Sequence, residues 1–104
     1  MKAHAFVENV INESFNVSVI NRIEVLGHES ATQDLTDFMN LANTYQLTEI
    51  IEKQTISLRK QKKIKLPDAI IAATALVHNF IIISRNVKDF TNIEGLNYVN
   101  PYEL

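Results

Sequence analysis

Phe80-Ile81-Ile82-Ile83 is an unbroken apolar run, mostly β-branched, that follows a stretch from Ala69 to Val77 apolar on nearly every side. A strand without polar alternation reads as one buried on both faces, as in a parallel sheet covered by helices. The preceding stretch reads as a helix packed on all faces, the central helix of the domain, and Pro67 suits its first position. Upstream, Phe15, Val17 and Val19 alternate with Asn16 and Ser18, which predicts a strand over residues 15–20. Strands alternating with helices argue for an α/β domain with a mainly parallel sheet.

The rest of the pattern fits that class. Phe6, Val7, Val10 and Ile11 share one helical face, so a helix is predicted from about 3 to 13. Asn21 is a good N-cap, and Glu24 three residues later completes a capping box, so a helix is expected to begin there. Gly27 and His28 mark a break, after which Leu35, Phe38, Met39 and Ala42 predict a helix over about 30–45. Leu47 to Ile51 reads as a short strand and Glu52 to Lys62 as a polar helix. A short helix from Val87 to Ile93, closed by Gly95, and a last strand at Asn97-Tyr98-Val99, stopped by Pro101, complete the chain.

At 104 residues and 11.8 kDa the chain fits a single domain, 1–104, with a modest core. It has no cysteine, which excludes a disulfide framework, a thiolate metal site and a cysteine nucleophile. No signal-peptide core or membrane-length apolar stretch is present, so the chain reads as cytoplasmic, with no membrane partner. The net charge of −2 gives no global attraction to polyanions. Yet Arg59, Lys60, Lys62, Lys63 and Lys65 concentrate half of the ten basic residues in one short segment. Such a segment is either a solvated helix end complementing the helix dipole or the place where a polyanion binds.

Three acids stand where strands turn into helices: Glu24, Asp68 in Leu66-Pro67-Asp68-Ala69, and Asp89 in Ser84-Arg85-Asn86-Val87-Lys88-Asp89-Phe90. Each has a structural explanation, as a capping-box residue after Asn21 or Asn86 or as a first-turn acid after Pro67. Taken together they point to the crevice at the ends of parallel strands, where α/β folds bind ligands. Gathered carboxylates repel and need a cation, and oxygen donors without thiolates suit Mg²⁺ or Mn²⁺. An ion so held activates water and stabilises charge on a phosphodiester, which makes phosphoester hydrolysis the natural chemistry. Asn86 and Ser84 beside Asp89 read either as groups that orient a water or a phosphate oxygen or as ordinary turn and cap residues. His4, His28 and His78 show no metal-ligand spacing and read as structural.

These residues resemble the PIN-domain ribonucleases, particularly the VapC-type toxins of bacterial toxin–antitoxin pairs. Residues 18–27 are similar to that family's strand-to-helix segment with its metal-binding Glu, and Lys65 to Ala75 resembles its most recognisable motif with the central Asp. Ser84 to Phe90 looks like the motif with the third acid, and Val99-Asn100-Pro101 like the usual ending. The resemblance implies a PIN-like three-layer α/β fold and a metal-dependent endoribonuclease. It makes Glu24, Asp68 and Asp89 the metal ligands, Asn86 a catalytic neighbour, and Mg²⁺ or Mn²⁺ the cofactor. RNA would be the substrate, with Ser84, Arg85, Lys60, Lys62, Lys63 and Lys65 as the residues expected to bind it. It further implies a homodimer silenced by an antitoxin protein.

One departure accompanies the resemblance. Family members begin with an apolar strand carrying an Asp in a Leu-Leu-Asp-Thr-Asn-like pattern, and nothing in Met1 to Glu13 matches it. The expectation is a PIN-like sheet lacking its first, central strand, with weak metal affinity and reduced or absent cleavage. The remaining strands are then expected to close up or to borrow pairing from a second copy. The alternative is a catalytically degenerate interaction module that keeps dimer and antitoxin surfaces while its acids serve as caps.

Overall fold

The computed structural model describes residues 15–83 and 87–99. The expected helix over 3–13 and the segment around Ser84, Arg85 and Asn86 lie outside the described residues. In chain order the elements are β1 (Asn16–Ser18), α1 (Val19–Leu26), α2 (Gln33–Met39), β2 (Asn43–Tyr45), α3 (Glu49–Gln61), α4 (Leu66–His78) and β3 (Ile82–Ile83). A 3-10 turn (Val87–Phe90) and β4 (Tyr98–Val99) follow. The domain is α/β with parallel strands: β1 pairs with β2, Val17 opposite Thr44, and β3 pairs with β4, Ile82 opposite Tyr98. Among the described residues the strands form two separate two-stranded pairs.

Helix α4 is the centre of the core, as its composition requires. Ala69 through Ala75 are all buried, and α4 packs most extensively on α3, which contributes Ile51 and Leu58. Two buried hydroxyls in these helices are satisfied within their own helix, Thr74 Oγ1 donating to the Ile70 carbonyl and Thr55 Oγ1 to that of Ile51, both at 2.7 Å. From the C-terminal part, Ile82, Phe90, Ile93 and Leu96 close the same core.

Several elements depart from the pattern expected of the sequence. Helix α1 is capped three residues earlier than expected: Ser18 is the N-cap, its Oγ accepting from the Ile20 N–H at 3.2 Å. The Ser18 N–H donates in return to Asn21 Oδ1 at 3.3 Å, so Asn21 is the third residue of the capping box and not its cap. Ser18 caps as well as Asn21 can, and the earlier start lays Ile20 against the core. Glu24 consequently stands near the end of α1, not in its first turn. The helix ends at Gly27, where a Cβ would come within 2.6 Å of the Ile23 carbonyl oxygen.

The helix expected over 30–45 is only Gln33–Met39, capped by Thr32, whose Oγ1 accepts from the Leu35 N–H at 3.2 Å. Asn43–Tyr45 is a strand instead. Its ladder to β1 is reinforced by Asn43 Nδ2 and the Tyr45 hydroxyl, both donating to Asn16 Oδ1 at 3.2 Å. This long-range pairing overrides the helical spacing of Ala42 with Phe38. The strand expected at 47–51 is the cap and first turn of α3, because Thr48 accepts from the Ile51 N–H and begins the helix there. In the apolar run after α4, Ile82 is buried while Ile81 is exposed, so the run alternates and is not covered on both faces at Ile81. Asn79, in the left-handed conformation at φ 55°, ends α4 and turns the chain toward β3.

Candidate active site

Pro67 opens α4 and puts Asp68 in its first turn, half-buried, where the helix dipole favours negative charge. Asp89, also half-buried, sits in the 3-10 turn between Lys88 and Phe90. The buried side chain of Phe90 anchors that turn to the core. Asp68 has its pKa raised above the ordinary aspartate value, first by burial and then by the negative charge of Asp89, while Lys65 pulls it back down. Asp68, Asp89 and Lys65 are thus one electrostatic cluster at the start of α4.

The other expected site residues are placed differently. Glu24 is exposed on α1, and among the described residues no three Asp, Glu or His side chains stand together as a metal-holding group. Asn86, Ser84 and Arg85 lie outside the described residues. Arg59 and Lys60 end α3 and are exposed, as are Lys63 and Lys65 in the connection to α4. Lys62 is half-buried, and its Nζ donates to the Thr91 carbonyl just past the turn that carries Asp89. His28 bonds within its own turn, Nδ1 lying 2.7 Å from Ser30 Oγ, and the His78 ring lies 4.2 Å from that of Tyr45.

The sequence reading missed two parts of this arrangement. The Lys65–Asp68 proximity was available from their three-residue spacing across a helix start. The Lys62–Thr91 contact spans 29 residues and has no local signal.

The sequence model of the PIN domain family matches residues 4–96. The chain belongs to the PIN domain family. A chain of a toxin–antitoxin complex from Klebsiella pneumoniae is 37% identical to this PIN domain and superposes with a TM-score of 0.68 over 84% of this chain and 73% of its own. A chain of DNA-bound VapBC from Salmonella typhimurium shares 16% identity with a TM-score of 0.78, over 97% and 86% of the two chains. One from VapBC2 of Rickettsia felis, bound to a DNA fragment from their promoter, shares 19% with a TM-score of 0.74, over 93% and 83%. The last two establish likeness of fold alone. Among curated proteins, none matches this PIN domain.

Proposed function

We propose that this PIN domain is a metal-dependent endoribonuclease of the toxin type, acting slowly, with Asp68 and Asp89 as the carboxylates that hold Mg²⁺ or Mn²⁺. The observation that carries the reading is the raised pKa of Asp68 in the first turn of α4, from burial and then from the charge of Asp89, within the span matched by the PIN family. A half-buried carboxylate whose charge is disfavoured by burial and by Asp89 is relieved by a cation. A pair of oxygen donors also suits an ion that keeps several of its waters. Bound there, the ion would supply an activated water and charge stabilisation for phosphodiester cleavage.

The chain's own residues have distinct parts in this reading. Asp68 retains its proton to higher pH than an ordinary aspartate, so it is fully available as a ligand only once it has ionised. Lys65 favours that ionised form. Lys60 and Lys63, exposed beside Lys65, face solvent where a phosphate backbone can approach. Glu24 as a third ligand, Asn86 as its catalytic neighbour, and Ser84 and Arg85 as substrate contacts enter through the family resemblance. Among the described residues no third acid joins Asp68 and Asp89, which favours weak metal affinity and slow cleavage.

The Klebsiella pneumoniae relative, from a toxin–antitoxin complex, supports an antitoxin protein as the partner of this chain. RNA as substrate and a homodimeric state complete the proposal. Cleavage of end-labelled RNA by the purified chain tests it. Slow cleavage is expected with Mg²⁺, none with EDTA, and a loss of more than about tenfold in Asp68→Ala, since a ligand should matter at least as much as its supporting shell.

The exposed position of Glu24 favours a second reading, a non-enzymatic interaction module that keeps antitoxin and dimer surfaces. That reading requires no cleavage at any Mg²⁺ concentration, together with retained binding to a co-expressed antitoxin.

A further inference from the structure

Among the basic residues between α3 and α4, Lys62 differs from its neighbours. Arg59, Lys60, Lys63 and Lys65 are exposed, whereas Lys62 is half-buried and its ammonium is already engaged with the Thr91 carbonyl. Its backbone serves the same corner, because Lys62 is the C-cap of α3 and its N–H donates to the Leu58 carbonyl at 3.1 Å. Three residues later Lys65 is the N-cap of α4, whose first turn holds Asp68. At the far end of the contact, Thr91 follows directly on the 3-10 turn Val87–Phe90 that carries Asp89. Thr91 closes that turn itself, its Oγ1 donating to the Lys88 carbonyl at 3.0 Å.

Carbonyls at the end of a helical turn lack intrahelical donors and lie at the negative end of the local dipole. An ammonium there satisfies an acceptor and complements the dipole. Thr91 is separated from Lys62 by 29 residues, so the contact joins two segments distant in the chain, beside the anchoring of Phe90 in the core. One segment leads into Asp68, and the other has just left Asp89.

We infer that Lys62 is a positioning residue: it ties the turn bearing Asp89 to the corner from which α4 and Asp68 start, and it does not serve as an RNA contact like Lys60 and Lys63. The inference deepens the nuclease reading and rests on it for what the two acids do. The tie between the segments stands on the geometry alone.

The test compares Lys62→Met, Lys62→Arg, Lys60→Met and Lys63→Met with the unsubstituted chain. Three measurements are made: amide hydrogen exchange over residues 88–93, Mn²⁺ affinity, and binding of a labelled RNA in EDTA. In Lys62→Met, exchange in that segment should accelerate by about tenfold while α3 and α4 keep their protection. Mn²⁺ affinity should fall by about tenfold, as for residues that orient metal ligands, and Lys62→Arg should restore most of both. RNA affinity should stay within about twofold in Lys62→Met and drop further in Lys60→Met and Lys63→Met, which remove phosphate-facing charge.

Exchange over 88–93 unchanged in Lys62→Met overturns the inference, and so does an RNA affinity that falls as far as in Lys63→Met. If the unsubstituted chain binds neither Mn²⁺ nor RNA, the nuclease reading fails, and hydrogen exchange alone still decides whether Lys62 holds the turn.

Discussion

Asp68 works against the fold that presents it. Burial and the charge of Asp89 raise its pKa above the unfolded value. Its contribution to stability is therefore fully present below the ordinary aspartate pKa, about 3.9, and is lost as pH rises through the folded-state value. In EDTA at neutral pH, Asp68→Asn should melt at a higher temperature than the unsubstituted chain, with the gap closing as pH is lowered toward about 4. A thermal melt series across pH checks this, and a gap that widens on acidification would have the wrong sign. Ser18 makes the opposite contribution: as N-cap of α1 it accepts from Ile20, and Ser18→Ala should cost about 0.5–2 kcal/mol in urea denaturation.

At the scale of elements, the α3–α4 packing holds the site in place, because α4 begins with Asp68 and α3 ends in the basic corner. Ile51 on α3 is fully buried in the shared core, and Ile51→Ala should cost about 2–5 kcal/mol, measured by chemical denaturation. Those elements were legible in the sequence because local signals agreed with packing. Pro67 starts α4, the apolar run through Ala75 fills it, and the expected helix over 52–62 is the body of α3. What escaped was decided at a distance. Asn43–Tyr45 became a strand through its ladder to Asn16–Ser18, and Thr48 converted an apparent strand into a helix start. The start of α1 was misplaced because Ser18 and Asn21 are both good caps, and only the burial of Ile20 against the core distinguishes them. Asp68 and Asp89 could be singled out as candidates from their motifs, but the effect of Asp89 on Asp68 depends on a turn that Phe90 pins from inside the core.

Over the whole molecule, the parallel strands occur as two pairs, β1 with β2 and β3 with β4, among the described residues. No helix among those residues is long and apolar enough to cross a membrane. If pairing is completed by a second copy, light scattering should give a dimeric mass. A monomeric mass at high concentration with a cooperative melt contradicts that expectation. Asp68 and Asp89, if they hold a divalent ion as proposed and are not merely residues of two helical first turns, should bind Mn²⁺ together. Electron paramagnetic resonance of Mn²⁺ titrated into the purified chain tests this most directly. One weak Mn²⁺ site should be found, lost in both Asp68→Asn and Asp89→Asn. Mn²⁺ binding equal in all three proteins, or absent from all three, would contradict it.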